Sequence, residues 1–135
     1  MDHDDHRSSV EWLELGEAIE DESLDRALTH YRRAWDELPR PKAKQKLAAQ
    51  ILTAIADCEF QKGNWNECQR TLMQAFNECG LPEDSPFARL RLGQCQYELG
   101  NLKEAETWLV SLYTEQGREP FEGEDPKYLE FFLRS

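Results

Sequence analysis

Gly63-Asn64-Trp65-Asn66-Glu67-Cys68 and Gly100-Asn101-Leu102-Lys103-Glu104-Ala105 are one element written twice. Each closes a helical pattern with Gly, restarts on Asn and places Glu three residues further on. Gly just past a helix end takes up left-handed backbone without a Cβ penalty. The Asn is expected to cap the next helix, and the Glu to reach back to the cap amide. A tight helix–turn–helix that recurs in one chain points to a helical repeat array.

The helices on the C-terminal side of such turns carry one stripe three times. It reads Leu24, Ala27, Tyr31, Ala34, Leu38, then Trp65, Cys68, Leu72, Ala75, Cys79, then Leu102, Ala105, Leu109, Leu112. Residues three, seven and ten places on from the first share one face of an α-helix. The small second residue lets two helices approach closely, and the aromatic or leucine one turn later fills the space beside it. A further helical segment precedes each stripe. Val10–Ile19 follows Ser8, with Ser8 and Glu11 as a capping box. Lys42–Lys62 follows Pro39-Arg40-Pro41, and Pro86–Leu99 follows the cap Ser85 with Pro at the first helical position. The last two segments have two apolar faces each, as expected of helices in a stacked array. Asp125 caps a final apolar segment, Pro126–Ser135, which is too short to be helical alone and is expected to dock as a capping helix. The expectation is all-α: a right-handed α-solenoid of three antiparallel pairs (10–39, 42–80, 86–117), a capping helix at 126–135, and an acidic flexible tail at 1–8.

The chain has 135 residues and a net charge of −11. That length suffices for one domain with a real core. The acidic balance argues against nucleic acid and anionic membrane surfaces, both of which need a cationic footprint. It favours attraction to basic partners where the acids cluster. Acids do cluster in residues 1–37, whereas Arg40–Lys46 is basic. No apolar run reaches the ~20 residues of a membrane span, and Met1-Asp2-His3-Asp4-Asp5-His6 is too polar for a secretory signal; the reading is a soluble cytoplasmic protein. Cys58, Cys68, Cys79 and Cys95 have neither zinc-knuckle nor redox spacing and read as small core residues. The only histidines are His3, His6 and His30, and no nucleophile–base grouping or phosphate loop emerges. No cofactor is implied. One minor arrangement is Met1-Asp2-His3, whose amine, amides and imidazole form a square-planar donor set for Cu(II) or Ni(II).

Leu90-x-Leu92-Gly93-x-x-x-Tyr97-x-x-Gly100-Asn101-x-x-Glu104-Ala105 resembles the tetratricopeptide repeat pattern. Ile55-Ala56-x-x-x-Phe60-x-x-Gly63-Asn64-x-x-Glu67-Cys68 is a second copy, and Leu24-x-x-Ala27-x-x-x-Tyr31-x-x-Ala34 with Pro39 a degenerate third. The family's repeat is ~34 residues. Gly63 to Gly100 is longer by three, which the loop Gly80–Ser85 can absorb. Ala27 to Cys68 is longer by seven, about two helical turns, which are expected to lengthen the Lys42–Lys62 helix.

The resemblance implies a binding module whose first helices line a concave groove. The faces left free by the apolar stripes are Gln50, Thr53, Asp57 and Gln61 on one helix, and Phe87, Arg91, Gln94 and Glu98, with Tyr97 beside them, on the next. Amides and aromatics suit an extended peptide. Of the groove positions that clamp a terminal carboxylate in some family members, here Trp12, Gly16, Ala54, Phe87 and Arg91, only Arg91 matches. The leading function is therefore a non-enzymatic protein-interaction module for a protein or peptide partner, with a basic one favoured by the acidic balance. The competing readings are an acidic antidote or chaperone for a basic toxin or effector, and a structural repeat protein that self-associates.

Overall fold

A computed structural model describes residues 7–133. The Met1-Asp2-His3 arrangement, most of the 1–8 tail and the end of the 126–135 segment lie outside them. Among the described residues the regular structure is helical throughout: α1 (Ser9–Ile19), α2 (Leu24–Asp36), α3 (Ala48–Gln61), α4 (Trp65–Glu78), α5 (Pro86–Glu98), α6 (Leu102–Gln116) and α7 (Lys127–Leu133), with 3-10 turns at Lys42–Lys44 and Glu119–Phe121. No helix there is long and apolar enough to cross a membrane. Packing is tightest within α1–α2, α3–α4 and α5–α6. Lesser contacts join α2 to α3 and α4 to α5, and α3 also touches α5.

The stripes are the core. Ala27, Tyr31, Ala34, Cys68, Leu72, Ala75, Ala105, Leu109 and Leu112 are all buried. Their partners on the preceding helices are small. A Cβ on Gly16 would stand 2.4 Å from Tyr31 Cε1, and one on Gly93 would stand 2.5 Å from Leu109 Cδ2. Tyr31, Leu72 and Leu109 hold the same place in the three stripes, and in the first and third hairpins the ring or isobutyl group is seated on a glycine of the preceding helix. The core runs as three adjoining clusters, and Phe121, Tyr128 and Phe132 complete the last of them.

The start of each hairpin is set by local chemistry. Ser8 and Glu11 form the capping box, with Ser8 Oγ accepting from the Glu11 amide at 3.2 Å and Glu11 Oε1 from the Ser8 amide at 2.9 Å. Ser85 Oγ accepts from the Ala88 amide ahead of Pro86. Gly63 and Gly100 have φ of +80° and +85°. The Asn after each stands at the cap position, but its side chain bonds no helix amide. The reason lies in its backbone. The Asn64 amide donates to the Glu59 carbonyl and the Asn101 amide to the Gln96 carbonyl, both at 2.8 Å. Those bonds close the preceding helix in a Schellman motif, so Glu67 and Glu104 find no free cap amide to accept from.

One expectation about length differs from the outcome. The helix expected over Lys42–Lys62 begins at Ala48, so the extra residues lie in the connection and not in added helical turns. Lys42 explains this: its ammonium donates to the carbonyls of Trp35 (3.3 Å), Asp36 (2.7 Å) and Leu38 (3.0 Å). A cation on the unsatisfied carbonyls at the end of α2 completes that helix instead of starting the next. The final helix spans Lys127–Leu133, with Asp125 Oδ1 accepting from the Lys127 amide at 3.0 Å.

Candidate functional site

The first helices of the three hairpins, α1, α3 and α5, share one side of the molecule. Between them lies a cleft of 230 Å³ lined by Glu17 of α1, Gln50, Thr53, Ala54 and Asp57 of α3, and Phe87 of α5. Four of the nine residues expected on the groove faces, Gln50, Thr53, Asp57 and Phe87, therefore line one open cleft. Gln50 is exposed and Thr53 half-buried, its hydroxyl donating to the Gln50 carbonyl at 2.9 Å. Gln61 stands one turn beyond Asp57 and donates to Asp57 Oδ2 at 2.9 Å and to Glu20 Oε2 at 3.3 Å. Glu20 in turn accepts from the Tyr31 hydroxyl at 2.6 Å.

The α5 half of the expected face is not free. Gln94 is fully buried and Arg91 is 9% exposed. Arg91 presents Nε (3.0 Å) and Nη2 (2.9 Å) to Asp57 Oδ1, and Nη1 to Glu124 Oε1 (2.7 Å) and Gln94 Oε1 (2.8 Å). Gln94 Nε2 donates to the same Glu124 oxygen at 2.7 Å. The guanidinium lies 4.3 Å from the Phe60 ring centre and 5.3 Å from that of Phe87, a cation–π sandwich. Burial works against the arginine's charge, but Asp57 and Glu124 outweigh it and its pKa rises. Tyr97 packs edge-on against Tyr128 and Phe131. Glu98 Oε2 accepts from Tyr128 Oη at 2.5 Å and Lys127 Nζ at 2.7 Å. The segment after α6 thus covers Arg91, Gln94, Tyr97 and Glu98. Arg91, Gln94 and Glu98 bond to it, which closes off Arg91 and Gln94, whereas Tyr97 and Glu98 are half-buried and Phe87 lines the cleft.

What stays open is the α1–α3 half. Its chemistry is carboxylate, amide and ring: Glu17 and Asp57, Gln50, and Phe87. Asp57 is partly neutralised by Arg91, whereas Glu17 is exposed. Such a set offers hydrogen-bond acceptors and negative charge beside an apolar ring. Glu17 and Glu124 were not foreseen. Glu17 lies on the hairpin whose repeat pattern is degenerate. Glu124 reaches Arg91 from a loop, a long-range placement with no periodic signal. Among the described residues no group of three or more His, Cys, Asp or Glu is arranged to hold a metal ion. His30 stacks on Trp12 at 5.5 Å, its pKa lowered by burial and then by Arg26, Arg7 and Arg33. No protein-family model matches the chain, and no curated protein matches it.

Proposed function

We propose that this chain is a non-enzymatic interaction module. In this reading it is a right-handed solenoid of three hairpins of the tetratricopeptide kind, and it takes a segment of a protein partner in the cleft between α1, α3 and α5. The observation that carries the reading is that cleft: one helix from each hairpin contributes to it, and four independently expected residues, Gln50, Thr53, Asp57 and Phe87, line it. The equivalence of Tyr31, Leu72 and Leu109, each fully buried at the same stripe position, supports the repeat. The acids Glu17 and Asp57 favour a basic segment, and a net charge of −11 adds long-range attraction for it.

The test is affinity capture from the native source with two baits, wild type and Glu17→Lys/Gln50→Arg. Both positions are exposed, so the fold tolerates the change. A partner recovered by wild type and lost from the variant supports the reading. Equal recovery by both baits places the binding surface elsewhere.

A further inference from the structure

The outer side of the molecule carries a cleft that occurs twice. One copy, of 380 Å³, lies between α2 and α4 over α3; the other, of 490 Å³, lies between α4 and α6 over α5. Six of their lining residues correspond in the register of the stripes. Arg32, Trp35 and Thr71 in the first become Met73, Phe76 and Trp108 in the second. Polar groups line much of the first cleft. Glu59 accepts from the Thr71 hydroxyl at 2.7 Å and faces Arg32 at 3.9 Å. The second has apolar walls, with Met73 39% exposed and Phe76 and Trp108 half-buried. The architecture itself therefore does not require an apolar cleft here, because the equivalent place one hairpin earlier lacks one.

The charge around the second cleft is also one-sided. Arg89 lines it, but its guanidinium is engaged by Glu115 Oε2 at 2.6 Å and Ser111 Oγ at 3.1 Å. Glu83 and Asp84, both exposed on the rim, form no ion pair among the described residues. Apolar walls with an anionic rim complement a bulky apolar side chain flanked by cations. We infer that the α4–α6 cleft is a second docking surface, separate from the α1–α3–α5 cleft. Its occupant is a polypeptide segment in which an apolar side chain sits between Lys or Arg residues. The apolar side chain packs against Met73, Phe76 and Trp108, and the cations face Glu83 and Asp84.

Nitrogen-15 NMR of the full chain tests this, with two blocked peptides as probes, one alternating leucine with lysine and the other leucine with glutamate. The lysine peptide is expected to shift the Trp108 indole and the Met73 and Asn77 amides saturably. The glutamate peptide is expected to leave them in place. Met73→Lys puts a cation on the wall at an exposed position and should weaken that titration about tenfold, on the scale of a central contact. Glu83→Lys/Asp84→Lys, on the loop, should weaken it several-fold and flatten its salt dependence. The inference is overturned if Trp108 does not respond, if both peptides act alike, or if shifts appear only at Gln50 and Asp57. It is also overturned if Trp108 moves with protein concentration alone, which would make a second copy of the chain the occupant.

Discussion

At Gly93 two effects of known size compete. Alanine in a helix interior is favoured over glycine by ~1 kcal/mol. A Cβ here would meet Leu109 Cγ at 2.6 Å and Trp108 Cβ at 3.2 Å, and overpacking of this kind costs ~1–3 kcal/mol. Overpacking wins, because both obstacles belong to the packed face of the partner helix. Gly93→Ala should lower the melting temperature, and a stabilised variant would mean that α6 yields freely. Glu59 poses the opposite problem. Burial raises its carboxyl pKa, against the Thr71 hydrogen bond and the Arg32 charge, which lower it. A raised folded pKa favours the protonated form in the fold. That stability is present below the unfolded carboxylate range and lost as pH rises through the folded pKa, so the ionised group weakens the fold at pH 7. Glu59→Gln should therefore raise the melting temperature at pH 7, with the gain vanishing near pH 4. The corresponding residue of the next hairpin is already Gln96, which donates to Gln69 Oε1 at 2.7 Å. Thermal melts at the two pH values decide; a Gln variant that is weaker at pH 7 refutes the argument. Arg91→Gln leaves Asp57 and Glu124, each about one-fifth exposed, without their cation. A loss of about 3 kcal/mol in a denaturant titration is expected, as for breaking a largely buried pair from one side.

Among the elements, the glycines of the turns were the most legible part of the chain, whereas the capping by Asn and Glu expected beside them does not form. A glycine with positive φ followed by Asn is a local requirement, and Gly63 and Gly100 meet it. The stripes were legible too, since burial follows the 3.6-residue period. The start of α3 was not, because an ammonium capping the helix before it leaves no trace in periodicity. Arg91 and Gln94, expected on a free face, are buried for a related reason. Periodicity tells that Arg91 and Gln94 lie off the apolar stripes, but not that Glu124, from a distant loop, reaches them. The segment from Glu119 to Leu133 is thus both lid and core. It buries Tyr128 and Phe132 to 4% and 7% exposure, roughly 3–6 kcal/mol of apolar transfer for two such side chains. Truncation before Asp125 should cost stability on that scale and expose Tyr97. Light scattering should then show association. A monomer of undiminished melting temperature would mean that α7 only rests on the surface.

For the molecule as a whole, acids outnumber bases 27 to 16. Like charges crowded on a compact body repel, and the repulsion relaxes on unfolding. Salt screens exposed charges far more than the Arg91 cluster, which is largely shielded from solvent. Raising sodium chloride from millimolar to physiological levels should therefore raise the melting temperature. A fall would mean that surface ion pairs such as Lys62–Asp25 outweigh the general repulsion.

The four thiols turn this arrangement into a built-in clock. Cys58, Cys68 and Cys95 have no exposed surface, and Cys79 alone is half-buried, near the end of α4. Burial also pushes the Cys58 thiol up to about 12. An alkylating reagent added to the native protein would thus mark Cys79 first and wait for structural opening to reach the others. Cys58 belongs to the first core cluster, whereas Cys68 and Cys95 share the second. Their order of labelling, read by mass spectrometry over time, would tell which of the two core clusters opens first without placing any foreign probe in the chain.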